Sequence, residues 1–246
     1  MNKVLHINSY YAAGRFYENL YNQQINLGYI IKVFLPISKT EELKFDYEEY
    51  VEIDRIYRKF DRLFFFPKHL KILKRAKEKY WNVSYDIIHA HSLISNGFVA
   101  RGLSKKTGFP YIVAVRDTDL NFFIKRYRFL KPLARKILMD AARVIFLSPG
   151  YQKETIETLF PLKEQPSIML KSEIIPNGID DFWLHNLAYS HRVVLDKSNI
   201  QIVTVGQICR RKNIITVCKA VKLLQQKGCN ISYTVIGKVL DDDILS

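Results

Sequence analysis

The chain has 246 residues, 48% of them hydrophobic, with 38 Lys or Arg against 24 Asp or Glu and a net charge of +14. That balance excludes wholesale disorder, and no stretch reaches the roughly 20 apolar residues that a membrane-spanning helix needs. The start is too short and too polar after Ile7 for a secretory signal, and Cys209, Cys218 and Cys229 follow no zinc spacing, so a cytoplasmic protein with free thiols is expected.

Val4 to Asn8 reads as a strand, Ser9 to Gly14 as a loop, and Arg15 to Leu27 as a helix with Phe16, Leu20 and Leu27 on one side and Gly28 as its stop. Ile30 to Leu35 is a second strand ended by Pro36. The order strand, loop, helix, strand opens a doubly wound sheet. Ser38 to Asp61 is charged and irregular. Pro67 is expected to block a helix through the aromatic cluster, leaving a basic helix from Lys68 to Tyr80. Further strands are expected at Asp86 to Ala90, Tyr111 to Val115, Val144 to Leu147 and Glu173 to Ile175. Helices fall between them at Ser95 to Thr107, Leu130 to Ala142 and Gly150 to Leu159.

This alternation makes residues 1–180 one Rossmann-like α/β domain. Residues 181–199 read as a linker. Ile200 then opens a βαβ unit: a strand ending in Gly206, a turn carrying Arg210, Arg211 and Lys212, a helix from Asn213 to Lys227, and the strand ISYTVIG. The cations stand where the strand meets the helix, a junction rich in free backbone N–H groups and suited to a phosphate.

Two runs mix cations with aromatics. Asp54 to Lys79 holds ten Lys or Arg against three acids, and Phe122 to Leu138 holds six cations and no acid. Such runs suit an anionic membrane surface. They also suit a solvated helix face whose long stems cover apolar surface. Nucleic acid phosphates are the least favoured partner.

The motif order resembles that of the GT-B glycosyltransferases of family 4 (glycosyl transferases group 1). It is carried by YDIIHAHS (Tyr85 to Ser92), GFPYIVAVRDTD (Gly108 to Asp119), ARVIFLSPGY (Ala142 to Tyr151), IIPNGID (Ile174 to Asp180) and VGQICRRKNI (Val205 to Ile214). The resemblance implies a GT-B-like fold, with an acceptor-side first domain and a second domain that binds a nucleotide diphosphate sugar, UDP- or GDP-linked. Transfer would run to a glycan or lipid-linked acceptor in the cleft between them, with no cofactor and no obligatory metal. It further implies a hexosyltransferase of polysaccharide biosynthesis, while the basic runs, and not the resemblance, suggest a peripheral place on the inner face of the plasma membrane.

On that resemblance Lys212 would neutralise the donor diphosphate, aided by Arg211 or Arg210, because Gln207 stands where the family commonly has arginine. Gly206 ends the donor strand, and Gly14 would let the backbone approach a ligand. Arg116 and Asp117 belong to the acceptor side, where the pattern resembles an R-G-[ST]-D variant. Asp119 would accept a hydrogen bond from the acceptor or act as a base; helix capping by Asp117 or Asp119 is the structural alternative. His89 and His91 share one face of a strand. His91 is a candidate catalytic group, a core histidine is the alternative, and a metal would need a third ligand that the sequence does not place.

The E-x7-E motif that family members use to hold donor sugar and ribose is absent from KVLDDDILS, and Asp241 to Asp243 have the wrong spacing. A chain truncated in its second domain, with little turnover, is therefore expected. The rival reading is a non-catalytic membrane- or acceptor-binding partner of a separate glycosyltransferase subunit.

Overall fold

The computed structural model describes residues 2–43, 45–186 and 199–240. Backbone contacts divide the chain into two units, Met1–Leu184 and His185–Ser246. The first unit runs β1 (Lys3–Ile7), α1 (Glu18–Asn26), β2 (Ile30–Ser38), β3 (Val51–Tyr57), α2 (Phe65–Tyr80), β4 (Ile87–Ala90), α3 (Ser95–Thr107) and β5 (Tyr111–Val115). It continues with α4 (Lys131–Asp140), β6 (Arg143–Phe146), α5 (Pro149–Leu159), α6 (Gln165–Leu170) and β7 (Ser172–Ile174), and α7 (Asp181–His185) ends at the division. Its seven strands are parallel, in the order β3-β2-β1-β4-β5-β6-β7.

Alternation along the strands sorts the core into two layers. Leu5, Ile7, Phe34, Ile88, Val113, Val115, Val144 and Phe146 face α2 to α6 and are buried with them. Val4, Val33, Leu35 and Ile37 face the other way, under α1 and the 3-10 turns Tyr11–Ala13 and Arg15–Tyr17. That second cover is short. Beyond it, Ile112, Ala114 and Ile145 line an open groove of about 810 Å³.

Four expectations are corrected. β2 runs through Pro36, because β1 stops pairing at Phe34 and leaves β2 with a partner on one side only, where a missing N–H is harmless. The stretch read as irregular contains the edge strand β3. Its charges hide it: Glu52 and Asp54 reach Lys79 and Arg75 of α2. Pro67 sits in the first turn of α2, where its N–H would have no intrahelical partner anyway. The buried side of the first helical stretch is Tyr17 and Tyr21, whereas Phe16 and Leu27 are exposed.

The second unit has β8 (Ile200–Val205), α8 (Ile214–Gln226) and β9 (Ile231–Ile236), with the strands parallel and in register from Ile200↔Ile231. Gly237 must be glycine, since a Cβ there would fall 1.7 Å from the Gly206 carbonyl oxygen. Of the expected linker, residues 187–198 lie outside the described residues, as do Asp241 to Asp243.

Candidate functional site

In the first unit the strand order reverses between β1 and β4, and the loops leaving β1, β4, β5 and β7 meet at the carboxyl edge of the sheet. Open parallel sheets bind their ligands at such a point. Asn8 turns the chain after β1 by accepting from the Tyr10 amide and donating from Nδ2 to the Tyr21 hydroxyl at 2.8 Å. Asn96 of α3 accepts from both the Ser9 amide and its hydroxyl, tying the first loop to the fourth strand's loop. Gly14, at φ 172, is in extended backbone open to any residue. A Cβ there would touch nothing within 4 Å, so the space beside it is free.

Arg116 is the half-buried cation of this edge. Its Nε donates to the His91 carbonyl at 3.2 Å, one terminal nitrogen donates to Asn177 Oδ1 at 2.8 Å, and the guanidinium lies 5.6 Å from the Tyr17 ring centre. The β4, β5 and β7 loops are thus joined through one side chain. Asp117 accepts from the Tyr151 hydroxyl and from Asn121 Nδ2, both at 2.6 Å. Tyr151 comes from the quoted ARVIFLSPGY stretch, although its role was not legible there.

Asp119 is fully buried. Its carboxylate accepts three backbone N–H groups, from Leu93 at 2.8 Å, Ile94 at 3.0 Å and Arg116 at 2.9 Å. Burial raises its pKa to about 6, partly offset by those three donors and by the Arg116 charge. A base must reach the proton it takes, and this carboxylate is enclosed by its own chain. The capping alternative describes it better, with the difference that it caps the β4 loop, across the sheet, as well as its own turn. A π-helix over Asp119–Ile124 follows directly.

His89 and His91 share one face of the sheet, as alternation requires, and both are buried. The neighbour that the sequence did not supply is His6 of β1, which pairs with His89 in the strand register. His6 Nδ1 and His91 Nε2 are 2.9 Å apart, and the His89 and His91 rings stack with centres 4.1 Å apart. Burial depresses all three pKa values, that of His89 to about 3, and Arg116 pushes His89 and His91 further down. His91 is therefore a neutral, enclosed ring and not a solvent-facing acid.

In the second unit Arg210, Arg211 and Lys212 form a 3-10 turn between β8 and α8, all three exposed. Asn213 follows in the left-handed region at φ 52 and brings the chain into α8. Gly206 ends β8 and donates its N–H to the Ile236 carbonyl of β9.

The two basic–aromatic runs come together on the first unit. Phe66 of the first and Phe129 of the second have ring centres 6.5 Å apart, and Phe60, Leu63, Phe64, Phe122 and Phe129 are exposed. Some of the cations, however, are paired: Lys71 with Asp61 and Arg75 with Asp54, each at 2.7 Å, Lys125 with Glu154 and Arg135 with Glu164, each also at 2.7 Å. Among the described residues no helix is long and apolar enough to cross a membrane.

The model of Glycosyltransferase Family 4 matches residues 13–181. No curated protein matches. Among solved structures, the chain is similar to the apo form of the lipopolysaccharide outer core galactosyltransferase WaaB, with 12% identity and a TM-score of 0.64 over 98% of this chain and 62% of that one. An E. coli trehalose-6-phosphate protein bound with UDP-2-fluoro glucose aligns at 14% identity and a TM-score of 0.60, over 98% of this chain and 66% of that one. The catalytic domain of starch synthase IV from Arabidopsis thaliana, bound to ADP and acarbose, aligns at 13% identity and 0.58, over 99% and 70%. At such identities the likeness shows a shared GT-B fold. The chain spans a little under two thirds of the length of the first two.

Proposed function

The chain belongs to Glycosyltransferase Family 4, and from that premise we propose that it transfers a hexose from a UDP- or GDP-sugar to a glycan or lipid-linked acceptor in polysaccharide biosynthesis. Residues 1–180 serve as the acceptor side, 181–199 as a joint, and 200–246 as the donor side. The observation that carries the reading is the exposed Arg210–Lys212 turn leading into α8. Lys212 offers a point charge on a flexible stem, and the start of the helix offers the positive end of its dipole. Both favour a diphosphate that gains charge as the sugar leaves. Gly206, Arg211 and Arg210 complete this donor set. From residue 199 to residue 240 there is no Asp or Glu, so no carboxylate there repels the diphosphate.

On the acceptor side Arg116 and Asp117 hold polar groups at the sheet edge, and the open space beside Gly14 admits a ligand. Asp119 and His91 act there as positioning residues, holding the loops that carry Arg116.

Calorimetry with UDP-, GDP- and ADP-sugars tests the proposal. One series should bind, and Lys212→Ala should weaken it by about 10- to 100-fold, the loss of one charge-assisted contact. Unchanged affinity in that variant would refute the assignment.

The exposed ring cluster at Phe66 and Phe129 supports peripheral attachment to anionic lipid, since aromatics flanked by cations favour the headgroup boundary. Phosphatidylserine vesicles should sediment the protein, and the double variant Leu63→Ser and Phe64→Ser should cut binding several-fold. Equal sedimentation with neutral vesicles would dispose of this attachment and leave sugar transfer untouched.

A further inference from the structure

We propose that His6, His89 and His91 form a binding site for one zinc-class divalent cation, independently of any sugar-transfer role. The sheet builds the trio. His6 of β1 and His89 of β4 are register partners, and His91 lies two residues beyond His89, so all three side chains leave the same face. One ring nitrogen from each lies within 4.8 Å of the other two. Tetrahedral zinc with bonds of about 2.0–2.1 Å separates its nitrogen ligands by about 3.4 Å. The widest pair therefore has to close by at most about 1.4 Å, the His6 Nδ1–His91 Nε2 pair has to open from 2.9 Å, and the stacked rings have to turn about χ2 so that their in-plane lone pairs converge.

One unsatisfied group points to a ligand. His89 Nε2 is buried without a hydrogen-bond partner, whereas His6 Nδ1 and His91 Nε2 share a hydrogen bond and the Gln24 side chain faces His6. Buried polar atoms are rarely left this way. A cation held by one nitrogen of each ring would fix the tautomers, and Gln24 would then supply the outer hydrogen bond that metal-bound imidazoles characteristically make.

The chemistry selects the metal. Three imidazoles without a carboxylate suit zinc, cobalt, nickel or copper and not the oxygen-seeking magnesium or calcium. The Arg116 charge opposes a bare dication. His89 also lines the groove, so the fourth position lies on that side and takes hydroxide or an anionic oxygen, which lowers the net charge. Bound there, the ion would clasp β1 to β4, and to Arg116 through the His91 carbonyl.

The test is titration of the chelator-treated 246-residue chain with Co²⁺ and then Zn²⁺. Expected are saturation at one ion per chain, the visible absorption of four-coordinate cobalt with nitrogen ligands, its displacement by Zn²⁺, and a melting temperature that rises with Zn²⁺ concentration. His89→Asn, at the groove, should weaken binding by at least about 10-fold. Exposed His185→Ala should not change it. His6→Gln and His91→Gln should behave as His89→Asn does. Should those buried variants not fold, the wild-type cobalt spectrum decides by itself. No saturable 1:1 binding, a six-coordinate cobalt spectrum, or full affinity in His89→Asn would overturn the site.

Discussion

The two units are written in the same βαβ grammar and differ in how much of it is covered. In the first, parallel strands lie under helices, and Val113 and Val144 are 0% exposed. In the second, alternate residues of β8 and β9 lie open: Val203 is 58% and Val205 78% exposed. Parallel strands normally have both faces covered. Charge divides the units too. Ion pairs tie a third of the first unit's cations to acids, among them those of β3 and α5, whereas residues 199–240 hold seven Lys or Arg and no acid. The same residue type therefore does different work. In the first unit a lysine or arginine fastens elements together, and in the second it gives a small scaffold a field that favours anions. Burial supplies stability in one unit, and in the other the charge of the Arg210–Lys212 turn stands exposed.

The largest expected effect that would break this comparison lies in the first unit. Asp119→Ala leaves three backbone N–H groups without an acceptor, and two of them, those of Leu93 and Ile94, are in fully buried residues. Each costs about 1–3 kcal/mol, so a loss of at least about 3 kcal/mol is expected from urea unfolding. Hydrogen exchange should quicken first at the Leu93, Ile94 and Arg116 amides. A variant as stable as the parent would remove the anchoring role. Val113→Ala comes next, at about 2–3 kcal/mol, because two buried methyl groups are lost and the sheet cannot close the space.

The pH response is smaller and has two opposing parts. His89 is depressed to about 3 in the folded chain, where it faces His6, His91 and Arg116. It therefore contributes stability that is present above its unfolded value near 6.5 and is lost as pH falls towards 3, about 2 kcal/mol at pH 5. His6 and His91 shift in the same direction. Asp119 works against them. Its folded pKa, raised to about 6, makes the ionised form costly above that pH, and acidification to pH 5 returns about 1.4 kcal/mol. The three histidines outweigh one carboxylate, so the melting temperature should fall from pH 7 to pH 5. Replacing His89 with Asn should flatten that slope; a slope of the same size in the variant would contradict the assignment.

Much of the frame was legible because it rests on local signals. Tyr111–Val115 is a short apolar run between a turn and a charged loop, and it forms β5 with those bounds. Ser95–Thr107 ends where Gly108, at φ 81, takes the left-handed cap. β3 escaped because the charges needed at a sheet edge break the apolar pattern. The site was legible in part. Arg116 could be placed by its position after a strand. The role of Asp119 could not, since its partners Leu93 and Ile94 lie 26 and 25 residues away in another loop. His6 escaped for the same reason: it joins His91 across 85 residues, and only the β1–β4 register brings them together.

The comparison is sharpened most by its smallest effect. Val205→Ala removes the same two methyl groups as Val113→Ala, from a strand of the same kind, yet the side chain is already mostly in water. Little apolar area returns to solvent and no cavity forms, so the change should stay within about 0.5 kcal/mol. A small loss of β-propensity is the principal cost. Hydrogen exchange across β8 and β9 should match the parent's. A loss close to that of Val113→Ala would mean that Val205 is covered in solution, and the contrast between the units would then be one of charge alone.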